Sequence, residues 1–371
     1  MTDFYSSSDT LDLWKATQRV YPWQGQPTVL LGRHGYPFVS QVLRKDKYET
    51  KDGTEIMDQM VLTESGNAGY AEADEDWKYN VKNVLGELHV PWRLARAYYV
   101  TTHDAIEANK EPNKLVDLLK LRRADGFASL AEAIEHRAPM SPDSATDKKN
   151  PHGLRAWITP ITGAQVTAKS FGRIGANPFY SDGTTTMGGC GGNDTSTDKF
   201  SRYRNYVDGW TNGDSDGIKI TQDDIDKIRM MLMETHWEGP MTADQFNTGI
   251  FEDQRYYTGR EVVIAMERAL RGQNENLGAD LGMYRGSAVI KGNPIIRVDD
   301  LDYANDPTYP LFQVDHAVWK LVVPPTGGIF ETPPDHTDGN PLVYVTNIFL
   351  KHNYICRDRG RCACISKVAA A

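Results

Sequence analysis

Apolar and polar positions alternate most clearly between Lys51 and Trp92. Two strand-like arms flank an acidic, glycine-containing connector there, and the first arm covers Thr54–Thr63. The alternating apolar positions of the second arm are Trp77, Tyr79, Val81, Leu88, Val90 and Trp92. A period of two is typical of a strand with one buried face, so the segment predicts a long β-hairpin. Because an isolated hairpin is only marginally stable in water, its apolar face has to pack on another surface.

Three other segments show the three- and four-residue spacing of helices. The longest lies between two prolines and predicts an amphipathic helix over residues 113–138. A second helix is predicted at Thr221–Trp237, because Thr221 followed by Asp224 three residues later resembles a capping box. A third helix is predicted at Arg260–Leu270.

Shorter apolar runs elsewhere predict strands. Between them, residues 159–217 lose all periodicity and are rich in Gly, Ser, Thr and Asn, which predicts long surface loops. Residues 1–50 carry aromatics, including Trp14 and Trp23, without a sustained period, and predict an extended arm that packs on another surface. The alternative is the N-terminal part of an ordinary core. The predicted strands are Leu154–Ile158, Ala288–Val298, Val314–Val323 and Leu342–Cys356.

Composition narrows the class of protein. The chain has 371 residues, of which 40% are apolar, so it is expected to fold as a large core or as two to three domains. No apolar run approaches the ~20 residues of a membrane span, and Met1–Thr10 lacks the basic and apolar stretches of a signal peptide. A net charge of −9 argues against a surface that coats nucleic acid.

Two groups of residues partly resemble metal sites. Asn212, Asp214 and Asp216 imitate a calcium loop with Asp223 at the twelfth position, but a lysine stands where an apolar residue is usual, and a turn before the second helix explains the same residues. A zinc site at Cys356, Cys362 and Cys364, with His352 upstream, lacks paired C-x2-C spacing, so strand cysteines are the favoured interpretation. A calcium-dependent binding protein or enzyme therefore stays an alternative, which a calcium titration tests.

Catalytic signatures are missing from the sequence. There is no G-x-S-x-G, P-loop, H-E-x-x-H or dinucleotide fingerprint. His103, His136, His236 and His316 have no cysteine or carboxylate at ligand spacing and are expected to be packed or surface histidines. We therefore expect neither catalytic residues nor a cofactor.

The order of the predicted parts resembles the major capsid protein of tailed bacteriophages. Pro91-Trp92-Arg93, the run from Gly153 to Ile158, and Tyr284-Arg285-Gly286 also look like local stretches of that family. The resemblance implies an α+β protein with the Hong Kong 97 type capsid fold. The implied parts are an N-arm at 1–45, an extended loop at 46–92, a peripheral domain at 93–215 with a spine helix at 113–138, an axial domain at 216–312, returning peripheral strands at 313–358 and a C-terminal tail at 359–371.

The same resemblance implies a function. Copies of the chain would form hexamers and pentamers of an icosahedral shell that encloses double-stranded DNA without sequence-specific binding. Portal, decoration and separate scaffolding proteins are the expected partners, the last because the arm begins near Met1. The expected location is the virion, after assembly in the host cytoplasm. An encapsulin-like cellular nanocompartment is the alternative.

In the family, the extended loop lies over the neighbouring subunit, so the apolar hairpin face would become an intersubunit contact. Some relatives cross-link a lysine of this loop, but no partner or activating acid can be assigned here for Lys51 or Lys78, and no cross-link is predicted. The expected intersubunit contacts are Trp14, Trp23, Ile56, Met60, Trp77, Tyr79 and Val81.

Overall fold

The fold is available as a computed structural model. It describes residues 36–42, 48–61, 70, 85–108, 112–142, 147–158, 160, 172–174, 203, 205–211, 213–214, 217–235, 237, 253–274, 289–290, 293–302, 304–325, 329–337 and 340–367. Among these residues, no helix has the length and apolar character needed to span a membrane.

Six α-helices occur in the described ranges. The longest starts at a proline, which is well tolerated in a first helical turn, and it confirms the predicted long helix to within one residue at each end. Two 3₁₀ turns, Asp299–Leu301 and Arg359–Arg361, supplement them. The helices are α1 Pro37–Val42, α2 His103–Ala108, α3 Pro112–Arg137, α4 Leu154–Trp157, α5 Gln222–Glu234 and α6 Arg260–Asn274.

One sheet of six strands is built on a single long strand, β16. Strands β4, β13, β14 and β15 all pair antiparallel with β16, and β1 extends β13 in parallel. The predicted strand Leu342–Cys356 is thus confirmed as β16. The strands are β1 Tyr48–Thr50, β4 Arg93–Thr102, β13 Trp319–Val323, β14 Ile329–Glu331, β15 Asp335–Thr337 and β16 Asn340–Cys356.

A second sheet has seven strands in the order β10-β11-β9-β12-β17-β6-β5. In this sheet β6 pairs in parallel with β17, and β5 pairs antiparallel with β6. The strands are β5 Gly172–Ile174, β6 Asn205–Gly209, β9 Gln254–Thr258, β10 Val289–Ile290, β11 Asn293–Arg297, β12 Leu311–Asp315 and β17 Ala363–Ser366.

Both faces of the seven-stranded sheet are buried. Neighbouring residues of a strand point to opposite faces, and Tyr256 and Tyr257 of β9 accordingly enter two different apolar clusters. The cluster around Tyr256 includes Met231 of α5 and Val262 of α6. The cluster around Tyr257 is shared with the six-stranded sheet and α3. A strand buried on both faces reads as a nearly continuous apolar run, which hides its period.

Helix α3 packs closely on the inner face of the six-stranded sheet. At Gly126 an added Cβ would lie 3.1 Å from Ile348 Cδ1 and 3.2 Å from Tyr99 Cδ1, so glycine lets the helix approach β4 and β16. Leu130 and Ile134 follow at four-residue steps and are buried in the same cluster.

Three predicted strands have to be corrected. Ala288–Val298 is not one strand, because β10 pairs antiparallel with β11 and Ile290 lies opposite Asn293. Leu154–Ile158 is not a strand, because Leu154–Trp157 form a buried helical turn in which Ile158 N–H donates to Leu154 O at 2.8 Å. A short apolar run does not distinguish a buried strand from a buried helix. Val314–Val323 is not one strand, because Asp315 accepts a hydrogen bond from Ala317 N–H and turns the chain from β12 into β13.

Candidate assembly surface

Strand β4 presents apolar side chains on both of its faces. Ala97, Tyr99 and Thr101 point inward and are buried against α3 and its surroundings. Leu94, Tyr98 and Val100 point outward, and 57%, 63% and 36% of their surfaces are exposed. Exposed apolar side chains on the second face of a strand form a surface suited to contact with another protein.

The neighbouring strands extend this surface. Phe349 of β16 lies opposite Arg96 of β4, and Phe330 of β14 lies opposite Phe349, so the three side chains share a face. Phe330 is 62% exposed. We call the following residues the outer face: Leu94, Arg96, Tyr98, Val100, Phe330, Val345, Asn347, Phe349 and Lys351.

Two cations lie at one end of the outer face. Arg96 donates through Nε and Nη2 to Asn347 Oδ1 at 3.1 and 2.7 Å, and its guanidinium lies 5.9 Å from the centre of the Phe349 ring. The Lys351 ammonium lies 4.9 Å from the centre of the Trp92 ring. Both cations thus rest on aromatic faces, which holds their charges near the apolar surface.

The inner side of the same sheet is fixed by polar contacts with α3. Tyr99 donates from its hydroxyl to Glu331 Oε1 at 2.9 Å, and Arg123 pairs with Glu331 Oε2 at 2.9 Å. Burial is the main cause that raises the pKa of Tyr99 to about 12, so the phenol stays a donor at neutral pH. These contacts tie β4, β14 and α3 together and present the outer face on a fixed support.

The predicted hairpin is confirmed at its base. Strand β2, Glu55–Val61, pairs antiparallel with β3, Leu85–Pro91, from Glu55 opposite Pro91 to Val61 opposite Leu85. Trp92 Nε1–H donates to Gly53 O at 3.0 Å.

Ion pairs attach this hairpin to the six-stranded sheet. Asp58 accepts from Arg357 Nε at 2.6 Å and lies 3.1 Å from Lys51 Nζ, and Arg357 also pairs with Glu49 at 2.8 Å. Burial alone would raise the pKa of Asp58, but the hydrogen bonds from Arg357 and Lys51 lower it below its usual value. The ionised carboxylate therefore anchors the hairpin at neutral pH.

The expectation that Ile56 contacts a neighbouring copy is corrected by its burial. Ile56 is fully buried with Leu88 and Val90 in the core of its own chain, because this side of the hairpin base faces the six-stranded sheet. Met60 lies in β2 opposite Gly86. Trp14, Trp23, Trp77, Tyr79 and Val81 lie outside the described residues.

The end of the N-terminal segment also packs on its own chain. Residues 37–42 form α1 and are not an extended arm, and the Phe38 ring stacks on Tyr257 with centroids 4.1 Å apart. Glu135 of α3 accepts hydrogen bonds from Phe38 N–H at 3.1 Å and Val39 N–H at 2.8 Å. The carboxylate thus satisfies two donors at the start of α1.

The described candidate metal ligands lie on different elements of the structure. Gly213–Asp214 and Gly217–Ile218 form a small antiparallel hairpin, β7 and β8, whereas Asp223 lies exposed in the first turn of α5. Asn212 and Asp216 lie outside the described residues. Cys356, Cys362 and Cys364 are buried thiols near the ends of β16 and β17. Within the described ranges, no group of three metal-binding side chains occurs.

The sequence analysis did not predict the outer face. Its signal is the run Arg93–Thr102, where apolar residues stand at both odd and even positions and therefore show no single period. Strands β14 and β15, of three residues each, give no periodic signal.

Comparisons with solved structures identify the fold of the chain. No family model matches the chain, and no curated protein matches it in sequence. The solved capsid of cyanophage A-1(L) aligns with a TM-score of 0.60 at 13% identity, covering 94% of this chain and 98% of that one. The capsid of a native GTA particle aligns with a TM-score of 0.54 at 11% identity, over 95% and 96% of the two chains.

An encapsulin aligns as well. The SrpI encapsulin of Synechococcus elongatus gives a TM-score of 0.52 at 12% identity and covers 96% of this chain and 95% of that one. Capsid and encapsulin chains are thus matched over nearly their whole lengths. The chain has the Hong Kong 97 type capsid fold, which confirms the α+β class and the fold expected from the resemblance.

Proposed function

We propose that the chain is the major capsid protein of a tailed bacteriophage. Copies assemble through hexamers and pentamers into an icosahedral shell around double-stranded DNA. The observation that carries the proposal is the match to the capsid chains of cyanophage A-1(L) and of the native GTA particle over 94–95% of this sequence. The proposed role is structural and not enzymatic.

The outer face supplies the contact surface that such assembly needs. Tyr98 and Phe330 are more than half exposed on it, and large exposed apolar side chains on a rigid sheet mark a protein–protein contact. The occupants we propose are the hairpin and the N-terminal arm of a neighbouring copy. Repetition of one such contact around an axis closes into a ring. The proposed contact residues of these two segments are Trp14, Trp23, Met60, Trp77, Tyr79 and Val81.

Further partners follow from this role. A separate scaffolding protein, a portal protein and decoration proteins are proposed to act with the shell. The net charge of −9 suits a container whose wall does not adhere to packaged DNA. The proposed location is the virion capsid, assembled in the host cytoplasm.

An encapsulin-like nanocompartment is the second candidate, because the SrpI encapsulin aligns over 96% of the chain. The two candidates differ in what the chain does alone. Expression without other phage proteins is expected to give capsomers or shells of irregular size if a scaffolding protein is needed. Closed shells of one size, formed efficiently by the chain alone, would favour the nanocompartment.

Substitutions on the outer face test the proposed interface. Tyr98→Asp and Phe330→Asp introduce charge at exposed positions and are expected to block assembly, with little change in the unfolding of the isolated chain. Tyr98→Phe keeps the apolar surface and serves as the matched control. Sedimentation separates shells, capsomers and monomers. Normal assembly of both aspartate variants would remove the outer face from the proposed contact.

A further inference from the structure

Two cysteines are neighbours where the chain passes from the six-stranded sheet to the seven-stranded sheet. Cys356 is the last residue of β16, and Cys362 immediately precedes β17. Both residues are fully buried with free thiols, and a side-chain hydrogen bond joins the two. The pair is therefore a buried dithiol.

Local hydrogen bonds fix the turn between the two cysteines. The turn contains the 3₁₀ segment Arg359–Arg361, and Cys362 N–H donates to Arg359 O at 3.0 Å. Gly360 N–H donates to Asp358 Oδ1 at 2.9 Å. These bonds fold the chain back, so that the side chain at the end of one strand meets the side chain that precedes the next.

Arg359 attaches this turn to the body of the chain. Its side chain is fully buried, and it donates through Nε to Trp157 O at 2.5 Å and through Nη2 to Asn205 Oδ1 at 2.7 Å. Its guanidinium also lies 5.8 Å from the centre of the Tyr203 ring. The Tyr203 hydroxyl donates to Cys356 O at 2.5 Å. Because α4, β6 and Tyr203 hold the turn in place, the two thiols are kept together before any reaction.

A third buried thiol provides a contrast. Cys364 lies two residues after Cys362 and is also fully buried. Its side chain hydrogen-bonds with Ser366, and the charge of Arg155 lies near it. Cys364 therefore serves as an internal reference for the pair that is in contact.

We propose that Cys356 and Cys362 form a redox site, in which the dithiol is oxidised to an intrachain disulfide by a small organic disulfide. The S–H bonds of both cysteines break, and an S–S bond forms between their sulfur atoms. The two electrons and the two protons pass to the co-reactant, whose own S–S bond breaks to give two thiols. The exchange runs through a mixed disulfide with one cysteine, from which the neighbouring thiol displaces the small thiol. The sulfur atoms have to approach to the ~2.05 Å of a disulfide bond, which is a small movement for side chains in hydrogen-bond contact.

Burial controls the rate of this exchange. It is the largest cause that raises the pKa of the Cys356 thiol well above its ordinary value, and the hydrogen bond with Cys362 also raises it. The charge of Arg359 acts in the opposite direction. Because the thiolate is the form that reacts, we expect slow oxidation in the closed fold and faster oxidation when the turn opens locally. The same burial should protect the disulfide once it has formed.

The compartment decides which form persists. Thiols are kept reduced in the cytoplasm, whereas disulfides persist outside it. In the proposed virion, the dithiol would therefore be present at assembly and the disulfide would accumulate after release. This distinction rests on the proposed function, but the pairing is a property of the folded chain and can be measured without assembly. A disulfide here would close the passage between the two sheets and restrict the unfolded chain, which stabilises the fold.

The pairing is tested on the folded, unassembled chain carrying Cys190→Ser, which removes the fourth cysteine. The reduced protein is incubated with oxidised glutathione, with and without urea below the unfolding transition, and the remaining thiols are then alkylated. Trypsin cleaves after the three arginines between Cys356 and Cys362, so a disulfide between these cysteines joins two separate peptides.

Mass spectrometry should find the two peptides linked, with the mass of two hydrogen atoms lost and one alkylated thiol left. Urea should speed the reaction. A chain that stays fully reduced under both conditions, or that keeps a bound glutathione instead of the internal bond, would overturn the proposal.

Two further variants identify the bonded pair, because Cys362 and Cys364 lie in the same tryptic peptide. Cys364→Ala should leave the linked peptides unchanged, whereas Cys362→Ala should abolish them, and the reverse result would overturn the pairing. The oxidised chain should also unfold at a higher temperature than the reduced chain, with no such change for Cys362→Ala after the same treatment. A lower unfolding temperature of the oxidised chain would show a strained bond and would overturn the site.

Discussion

Glu135 should make the stability of the chain depend on pH in a way that glutamine abolishes. Its carboxylate accepts two backbone hydrogen bonds at the start of α1 while being 8% exposed. Burial raises the pKa of Glu135 from its ordinary value to about 7, against the lowering effect of the bonds from Val39 and Phe38. The negative charges of Asp300 and Asp299 contribute to this raised pKa.

The direction in which stability changes with pH follows from proton binding by Glu135. The folded chain holds the Glu135 proton more tightly than the unfolded chain, so this group destabilises the fold as pH rises. The change begins near the unfolded pKa of 4.5 and is complete above the folded pKa of about 7. A difference of ~2.5 pKa units at ~1.4 kcal/mol each gives an upper limit of about 3.5 kcal/mol, and screening by solvent reduces it to about 1–3 kcal/mol.

The assay is urea unfolding of the unassembled chain, followed by tryptophan fluorescence at pH 5 and pH 8. The unfolding free energy of the Glu135→Gln variant is subtracted from that of the wild type at each pH. This difference should be about 1–3 kcal/mol smaller at pH 8 than at pH 5. Other titrating groups are common to both proteins and cancel. Glu132→Gln, on the exposed face one turn earlier, is the matched control and should behave as wild type. Parallel pH profiles of wild type and Glu135→Gln would refute the reasoning.

Four other outcomes can be checked. Asp224→Ala removes the acceptor for Thr221 N–H at 2.9 Å and should destabilise the chain by about 1–2 kcal/mol in thermal unfolding, whereas exposed Asp223→Ala should have little effect. Gly126→Leu should cost about 1–3 kcal/mol in urea unfolding, because a Cβ alone already approaches Ile348 to 3.1 Å, and unchanged stability would contradict that packing. Trp77→Asp should impair assembly, measured by sedimentation, far more than monomer unfolding, and equal losses would place Trp77 in its own core. Denaturing gels of assembled shells should show single chains, and a ladder of covalent oligomers would disprove the absence of a cross-link.

Local sequence signals predicted the elements that carry their own period or boundary. Helix α3 follows a proline and keeps a regular apolar spacing, and α5 begins beside the Thr221–Asp224 contact. The antiparallel arms of the hairpin were predictable for the same reason, since β2 pairs with β3 along seven positions of each. These features depend on residues close in sequence.

Features that depend on contacts between residues far apart in the chain could not be predicted from local sequence patterns. Whether Ile56 meets a neighbour or its own core is decided by a cluster that includes Leu350, almost 300 residues later. The outer face arises because β4 pairs with β16, so its surface is divided between strands far apart in the chain. The buried turn at Leu154 is likewise fixed by its bond from Leu154 N–H to Ala138 O at 2.7 Å.

The most direct test of the central claim is electron microscopy of the purified chain, alone and after co-expression with the proposed scaffolding protein. We predict rings or shells built from hexamers and pentamers, with density from one copy lying over Tyr98 and Phe330 of the next. Monomers under both conditions, or shells in which this outer face contacts nothing, would contradict the account.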